Sequence, residues 1–330
     1  MLHRRHLLRL LGASGALASA GLPLHAADTS YPNGKPIKII ATYQPGGTND
    51  IMARLAAQIW SEALGVPVTV ENRPGANGNL GTELVARARG DGHTLLAGTF
   101  GPIVTSPTLY ADLPYDPLKD FAPVGILASV PNVIAVHPSS PARTLAEFIA
   151  LAKGRPQKPP RFGIVVGGTP QFLVENLKRA TGITLQNVQY KGGTSALNDL
   201  IGNHIDLYID NVPAMLPQVR GGTIRALAVA ADERSPVLPD VPTTRELGYP
   251  DAVISAWHGI LAPAGTPAAA VQKLNQTLVA ALRTPAITER IVGQGGQVVA
   301  NTPEQFSAFL RSEIARWAAV IRSAGIAAPA

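Results

Sequence analysis

The chain of 330 residues contains no cysteine. That absence removes disulfides, thiolate nucleophiles, zinc–thiolate centres, iron–sulfur clusters and a lipid-anchoring lipobox together. Aromatic residues make up 5% of the sequence and charged residues 15%, with no Lys/Arg run interleaved with aromatics, so nucleic-acid binding has little support. The formal charge of +6 shrinks when its location is considered: residues 1–27 hold Arg4, Arg5 and Arg9 and no acid, leaving 25 basic against 22 acidic residues, a net +3. No G-x-S-x-G elbow and no G-x-x-x-x-G-K-[ST] loop occurs, so α/β-hydrolase and P-loop chemistry lack their local signatures. His93, His137, His204 and His258 are not spaced as metal ligands. Beyond residue 27 no apolar run reaches the ~18 residues of a spanning helix.

What is present is a globular composition, 46% hydrophobic with 32 glycines and 29 prolines, on a length that suggests about two domains. The start, Met1-Leu2-His3-Arg4-Arg5-His6, is followed by a Leu/Ala/Gly-rich run from Leu7 to Leu24 and the small-residue context His25-Ala26-Ala27 before Asp28. This reads as an export signal over 1–27, cleaved near Ala26/Ala27, with the Sec and twin-arginine routes both open. The expected location is the periplasm.

The rest alternates strand and helix. Ile37 to Tyr43, Val66 to Val70, Thr94 to Ala97, Val133 to Val136, Arg161 to Val166, Thr184 to Tyr190 and Arg225 to Ala230 read as strands. Helices are expected from Asn49 to Gly65, over Gly81 to Ala88, from the capping box Thr144-Leu145-Ala146-Glu147 to about Lys153, and after Thr169-Pro170 and Thr194-Ser195. Thr266-Pro267, Thr284-Pro285 and Thr302-Pro303 each place an N-cap before a proline in the helical tail. The fold class is α/β with parallel sheets and crossovers.

Three strand runs end in glycine followed by a hydroxyl residue at a helix start: Tyr43 to Thr48, Val166-Gly167-Gly168-Thr169 and Tyr190-Lys191-Gly192-Gly193-Thr194. Glycine permits close backbone approach, and the free amides and dipole of a helix start favour an anion. With no nucleophile and no base nearby, such loops suggest capture of a small acid without conversion; glycine-capped turns are also generic to α/β folds. Asp206 and Asp210 share a strand face, and structural or ligand-contact roles outweigh acid–base catalysis. The Gly75 to Gly81 stretch lacks the G-x-G-x-x-G spacing of a dinucleotide loop.

The ordered motifs Pro45-Gly46-Gly47-Thr48-Asn49-Asp50, Glu71-Asn72-Arg73-Pro74-Gly75-Ala76, Asp91-Gly92-His93-Thr94, Leu113-Pro114-Tyr115-Asp116-Pro117, Tyr190-Lys191-Gly192, Leu238-Pro239-Asp240-Val241-Pro242-Thr243 and Ala262-Pro263-Ala264-Gly265-Thr266-Pro267 run the length of the chain. Together they resemble the Bug family, the extracytoplasmic substrate receptors of tripartite tricarboxylate transporters. The resemblance implies a two-lobed, flytrap-like periplasmic binding protein of type II, each lobe a mostly parallel sheet flanked by helices. Lobe one is expected over 28–129 and 252–330, and lobe two over 130–251. No catalysis and no cofactor are implied. The implied partners are a small organic acid and the membrane subunits of the transporter, with no nucleic acid, and the receptor is expected as a monomer. A sensor-kinase receptor is the alternative, and an exported enzyme a more distant one.

In that family a carboxylate is held on backbone amides of the first βα loop, often through water. The expected ligand-binding residues are therefore Tyr43, Gln44, Pro45, Gly46, Gly47, Thr48 and Asp50, then Thr99 and Phe100, Gly168 and Thr169, Tyr190, Lys191 and Gly192, and Asp210 and Asn211. Gly46, Gly47 and Thr48 are the principal anion contacts. Asp50 is read as a brace for its loop, Lys191 as either a partner for a second carboxylate or a surface residue, and Arg54 and Arg73 as braces. One segment departs from the family: Ile164, Val166 and Phe172 stand where relatives carry Ser, Gly and His. That change suggests an acid with an aromatic or apolar body rather than citrate.

Overall fold

Short apolar strands that end at glycines and hand over to amphipathic helices build most of the chain. The computed structural model describes residues 31–326. The expected signal segment 1–27 and its cleavage point lie outside the described residues. The elements are β1 (Ile37–Ala41), α1 (Thr48–Leu64), β2 (Val68–Asn72), α2 (Asn79–Ala86), β3 (Thr94–Thr99), α3 (Ser106–Leu109), β4 (Phe121–Val136), α4 (Leu145–Lys153), β5 (Arg161–Ile164), α5 (Thr169–Thr181) and β6 (Gln186–Gln189). They continue with α6 (Gly193–Ile201), β7 (Leu207–Asn211), α7 (Val212–Arg220), β8 (Arg225–Val229), β9 (Ser255–Pro263), α8 (Ala268–Leu282), α9 (Pro285–Val292), β10 (Gln297–Val298) and α10 (Pro303–Ala324).

The strands form one mixed sheet in the order β2-β1-β3-β9-β4-β7-β5-β6, with β8 and β10 also pairing β4. The outer strands of each half are parallel, β1 with β2 and β3, and β5 with β6 and β7. The strands at the junction are antiparallel to their neighbours. The reason is connectivity: β4 carries the chain from the first half to the second and β9 brings it back. Along β4 the partner changes, from β9 over Phe121 to Pro131 to β7 and β8 from Asn132 onward.

The sequence reading finds only the last four residues of this 16-residue strand, because Pro123 and Pro131 break the pattern. Register shifts beside Pro123 and between Ile126 and Ala128 accommodate the irregular stretch. It misses β9 altogether: from Ala256 to Pro263 every residue is buried, so no alternation marks the strand.

The capping box at Thr144 with Glu147 forms as expected, and Thr302 forms another with Gln305. Thr284 takes the expected N-cap position of α9 before Pro285 and Thr266 does not take that of α8, and neither side chain makes a capping bond. Their hydroxyls donate to the carbonyls of Pro263 and Ala281, the turns behind them, and Pro267 itself takes the N-cap position of α8.

The core divides into three clusters. One lies between the first sheet half, α1 and α8, and one under α6 and α7. The third joins the halves: Phe100 at the end of β3 meets Phe172 of α5 edge-on at 5.8 Å, and both touch Trp317 of α10, at 5.0 and 4.9 Å between ring centroids. Burying each such ring contributes about 1.5–3 kcal/mol.

Candidate functional site

The loops between β1 and α1 and between β5 and α5 face one another across the junction of the sheet halves. Each contains Gly-Gly-Thr, the first glycine left-handed (Gly46 φ +82°, Gly167 φ +81°) and the second an extended N-cap (Gly47 φ −75°, ψ 163°; Gly168 φ −77°, ψ 161°). Left-handed backbone is the reason glycine stands first. The amide of Gly46 donates to Asp50 Oδ2 at 3.0 Å, and that of Gly167 to Gln171 Oε1 at 2.7 Å. Among the described residues no side chain caps α1 or α5, nor α6 and α7, whose N-caps are Gly192 and Asn211. Helix starts left open in a buried setting leave amides and a positive dipole end directed at whatever the space holds.

That space is a cavity of about 90 Å³. Of the expected residues, Tyr43, Gln44, Gly47, Thr48, Thr99, Phe100, Gly168, Thr169, Asp210 and Asn211 line it. Six do not. Pro45 is exposed and its carbonyl accepts a hydrogen bond from Thr194 Oγ1. The Gly46 amide is already taken by Asp50, so the anion on it is the chain's own. Asp50 braces as read from the sequence: besides Gly46 it accepts from Asn72 Nδ2 at 2.9 Å and pairs with Arg54 at 3.0 Å. Burial alone would raise the Asp50 carboxyl, but the hydrogen bonds from Arg54, Gly46 and Asn72 together hold it below the ordinary carboxylate value.

Tyr190 turns its hydroxyl to Asp199, Lys191 is exposed, and Gly192 packs against Gln44, where an added Cβ would stand 2.9 Å from Oε1. The third glycine loop reaches the cavity one step later, through Gly193 and Thr194. Arg73 pairs with Glu71, away from the cavity.

Sequence reasoning named the residues on either side of Asn49 without singling it out, and missed Val165, Pro170, Gly193, Thr194, Tyr208, Ile209, Ala256 and His258 in the lining. Asn49 had a visible signal, being next to Thr48; its side chain ties the Thr42 amide (3.0 Å) to the Ala97 carbonyl (2.8 Å) and so fixes α1 to β1 and β3. Ala256 and His258 had none, because β9 was not seen.

The halves touch around the cavity. Thr194 Oγ1 donates to the Pro45 carbonyl at 3.2 Å, Ser195 Oγ to Gln44 Oε1 at 3.2 Å, and Thr105 Oγ1 to the Gly167 carbonyl at 2.8 Å. Asn132, the buried residue at which β4 changes partner, donates to the Ile254 carbonyl and accepts from Thr169 Oγ1 (3.2 Å) and Asn211 Nδ2 (2.9 Å). Two lining residues are thus tied to the junction strand.

Among the described residues no Lys or Arg lines the cavity. Burial raises the acid of Asp210 and lowers His258 to about 3, keeping that imidazole neutral. Neither Val166 nor Phe172 lines the cavity. Phe172 is spent on the aromatic cluster with Phe100 and Trp317, so the expected contribution of that residue is corrected; the apolar part of the lining comes from Phe100, Val165, Pro170, Ile209 and Ala256.

A sequence profile of the tripartite tricarboxylate transporter family receptors matches residues 52–326. The chain belongs to that family. This receptor is 37% identical to Protein BugT of Bordetella pertussis over 322 residues, 97% of this chain and 98% of that one. Its structure is similar to that of an R. palustris protein, Rpa4515, solved with adipate (TM-score 0.86, 35% identity, 90% of this chain and 99% of that one). It is also similar to the periplasmic binding protein BugD (TM-score 0.83, 34% identity, 88% and 98%). The receptor therefore has the two-lobed α/β fold of the periplasmic binding proteins, and its relatives are solute receptors rather than enzymes.

Proposed function

We propose that this receptor captures a small organic acid in the periplasm, holding its carboxylate between the open starts of α1 and α5, and presents the closed form to the membrane subunits of a tripartite transporter. The observation that carries the reading is the matched pair of glycine loops, whose uncapped helix starts converge on a cavity that no cation lines among the described residues. An anion there is held by amides and helix dipoles. The adipate in the R. palustris relative supports a carboxylate ligand.

Gly47, Thr48, Gly168 and Thr169 make the primary contacts, with Tyr43, Gln44, Thr99, Phe100, Asp210 and Asn211 shaping the rest. The lobes are residues 28–129 with 252–330, and 130–251. The change of partner in β4 between Pro131 and Asn132 supports a boundary close to that division. Contacts such as Thr105 to Gly167 exist only while the lobes are together, so a ligand touching both loops biases an open–closed equilibrium. The receptor acts as a monomer after removal of residues 1–27.

Thermal unfolding of the purified mature chain against mono-, di- and tricarboxylates, aromatic acids and amino acids tests this. A ligand at about 100 times its Kd stabilises the fold by about 2.7 kcal/mol, several degrees in Tm. No shift with any acid, in protein stripped of retained ligand by unfolding and refolding, overturns the reading.

A further inference from the structure

Two side chains of the cavity wall are left over by the carboxylate grip. His258 stands on β9 next to Trp257, whose ring turns to Phe306 and Phe309 of α10. By strand alternation His258 and Ala256 face the opposite side of the sheet, toward the start of α1, and both line the cavity. His258 is 3% exposed, and neither ring nitrogen has a hydrogen-bond partner among the described residues. A buried polar atom left unpaired costs about 1–3 kcal/mol, so this wall is incomplete without something to bond.

Asp210, at the end of β7, lines the same cavity. Its Oδ2 accepts from the Tyr208 hydroxyl at 2.7 Å and its Oδ1 from the Asn211 amide at 2.8 Å, leaving each oxygen room for another donor. The backbone at Gly193 lies against this carboxylate, where any Cβ would collide with it and with the Tyr208 hydroxyl. Among the described residues no lining cation faces it, and both oxygens act as acceptors, so a second carboxylate facing Asp210 would find no donor there, whereas a donor would be held.

We infer that the ligand is an acid with a hydrogen-bond donor on its carbon body, a hydroxyl or an ammonium, which Asp210 and His258 read while the carboxylate rests on the glycine loops. This rests on the carboxylate reading above. A hydroxyl donates to Asp210 and accepts from the imidazole N–H; an ammonium donates to Asp210 and to the imidazole lone pair. An acid with a bare hydrocarbon body leaves both residues unanswered.

The test is calorimetric titration of the mature receptor with acids that share a skeleton: propionate, lactate and alanine; succinate, malate and aspartate; phenylacetate, mandelate and phenylglycine. In each series that binds, the hydroxy or amino member is expected to bind at least about tenfold tighter than its unsubstituted parent, and the winner names the donor. His258→Phe and Asp210→Asn should each bring that ratio toward one. If His258→Phe does not fold, Asp210→Asn decides alone. A purely structural role would weaken all members alike and leave the ratio standing. Equal binding of parent and substituted acids, or a preference that survives these substitutions, overturns the inference. Silence of every acid in all three series overturns the carboxylate reading, and this inference with it.

Discussion

The β1–α1 and β5–α5 loops present the same backbone to the cavity and brace it with different chemistry. Gly46 and Gly167 share a left-handed φ within one degree, and each donates its amide to the side chain four residues on. In the first half that acceptor is the carboxylate of Asp50, which draws in Arg54 and Asn72; in the second it is the neutral amide of Gln171. The brace position thus requires an acceptor, not a charge. Where a charge is used, Arg54 cancels it locally, and the cavity is left with the helix starts as its source of positive potential.

Alanine at the paired first glycines should separate the loops most strongly. Around Gly46 none of the described residues comes within 4 Å of an added Cβ, so Gly46→Ala costs only the left-handed strain of about 1–2 kcal/mol. At Gly167 the same methyl would run into Asn77 and Thr105 of the opposite half. Gly167→Ala therefore adds steric overlap to the strain, about 2–5 kcal/mol against the closed form, and should weaken ligand binding by roughly 30-fold or more in a calorimetric titration. Equal losses at the two positions would show that closure does not bring Gly167 against the other half.

The braces come next. In urea unfolding, Asp50→Asn should cost about 2–3 kcal/mol, since it leaves Arg54 unpaired and loses charge-assisted bonds, and Gln171→Ala about 1 kcal/mol. Acid should discriminate further. The Asp50 carboxyl is held below its unfolded value, so its contribution is complete above about pH 4 and is lost as the pH falls through the lowered native value. Asp50→Asn should remove that part of the acid loss, and Gln171→Ala should leave it in place.

The smallest contrast lies in the hydroxyls. Thr169 Oγ1 bonds to Asn132, while Thr48 Oγ1 is buried with no partner among the described residues. Thr169→Val should destabilise the ligand-free protein by about 1 kcal/mol. Thr48→Val should leave it as stable or raise it by up to about 1 kcal/mol, and should weaken ligand binding instead by about three- to tenfold.

Both loops were legible in the sequence because glycine, glycine and a hydroxyl residue at a strand end carry their own backbone instructions. The bracing role of Asp50 followed from its place in the first turn of α1. Three features were not legible, for separate physical reasons. A strand buried on both faces has no period, so β9 and with it His258 went unseen. Phe172 sits on a helix whose start opens on the cavity while one flank packs behind it, and spacing does not say which side an aromatic takes. The Tyr190 to Gly192 turn was placed correctly along the chain but one residue early, because Lys191 points to water and the helix start behind it reaches the cavity.

Trp317 is in ring contact with Phe100 from one half of the sheet and Phe172 from the other, while Trp60 is fixed inside the first core. Separation of the halves would therefore change the surroundings of Trp317 and leave those of Trp60 constant. On the proposed reading the receptor carries a built-in optical gauge: closure on a ligand would be readable as a change in native tryptophan emission, with no label attached.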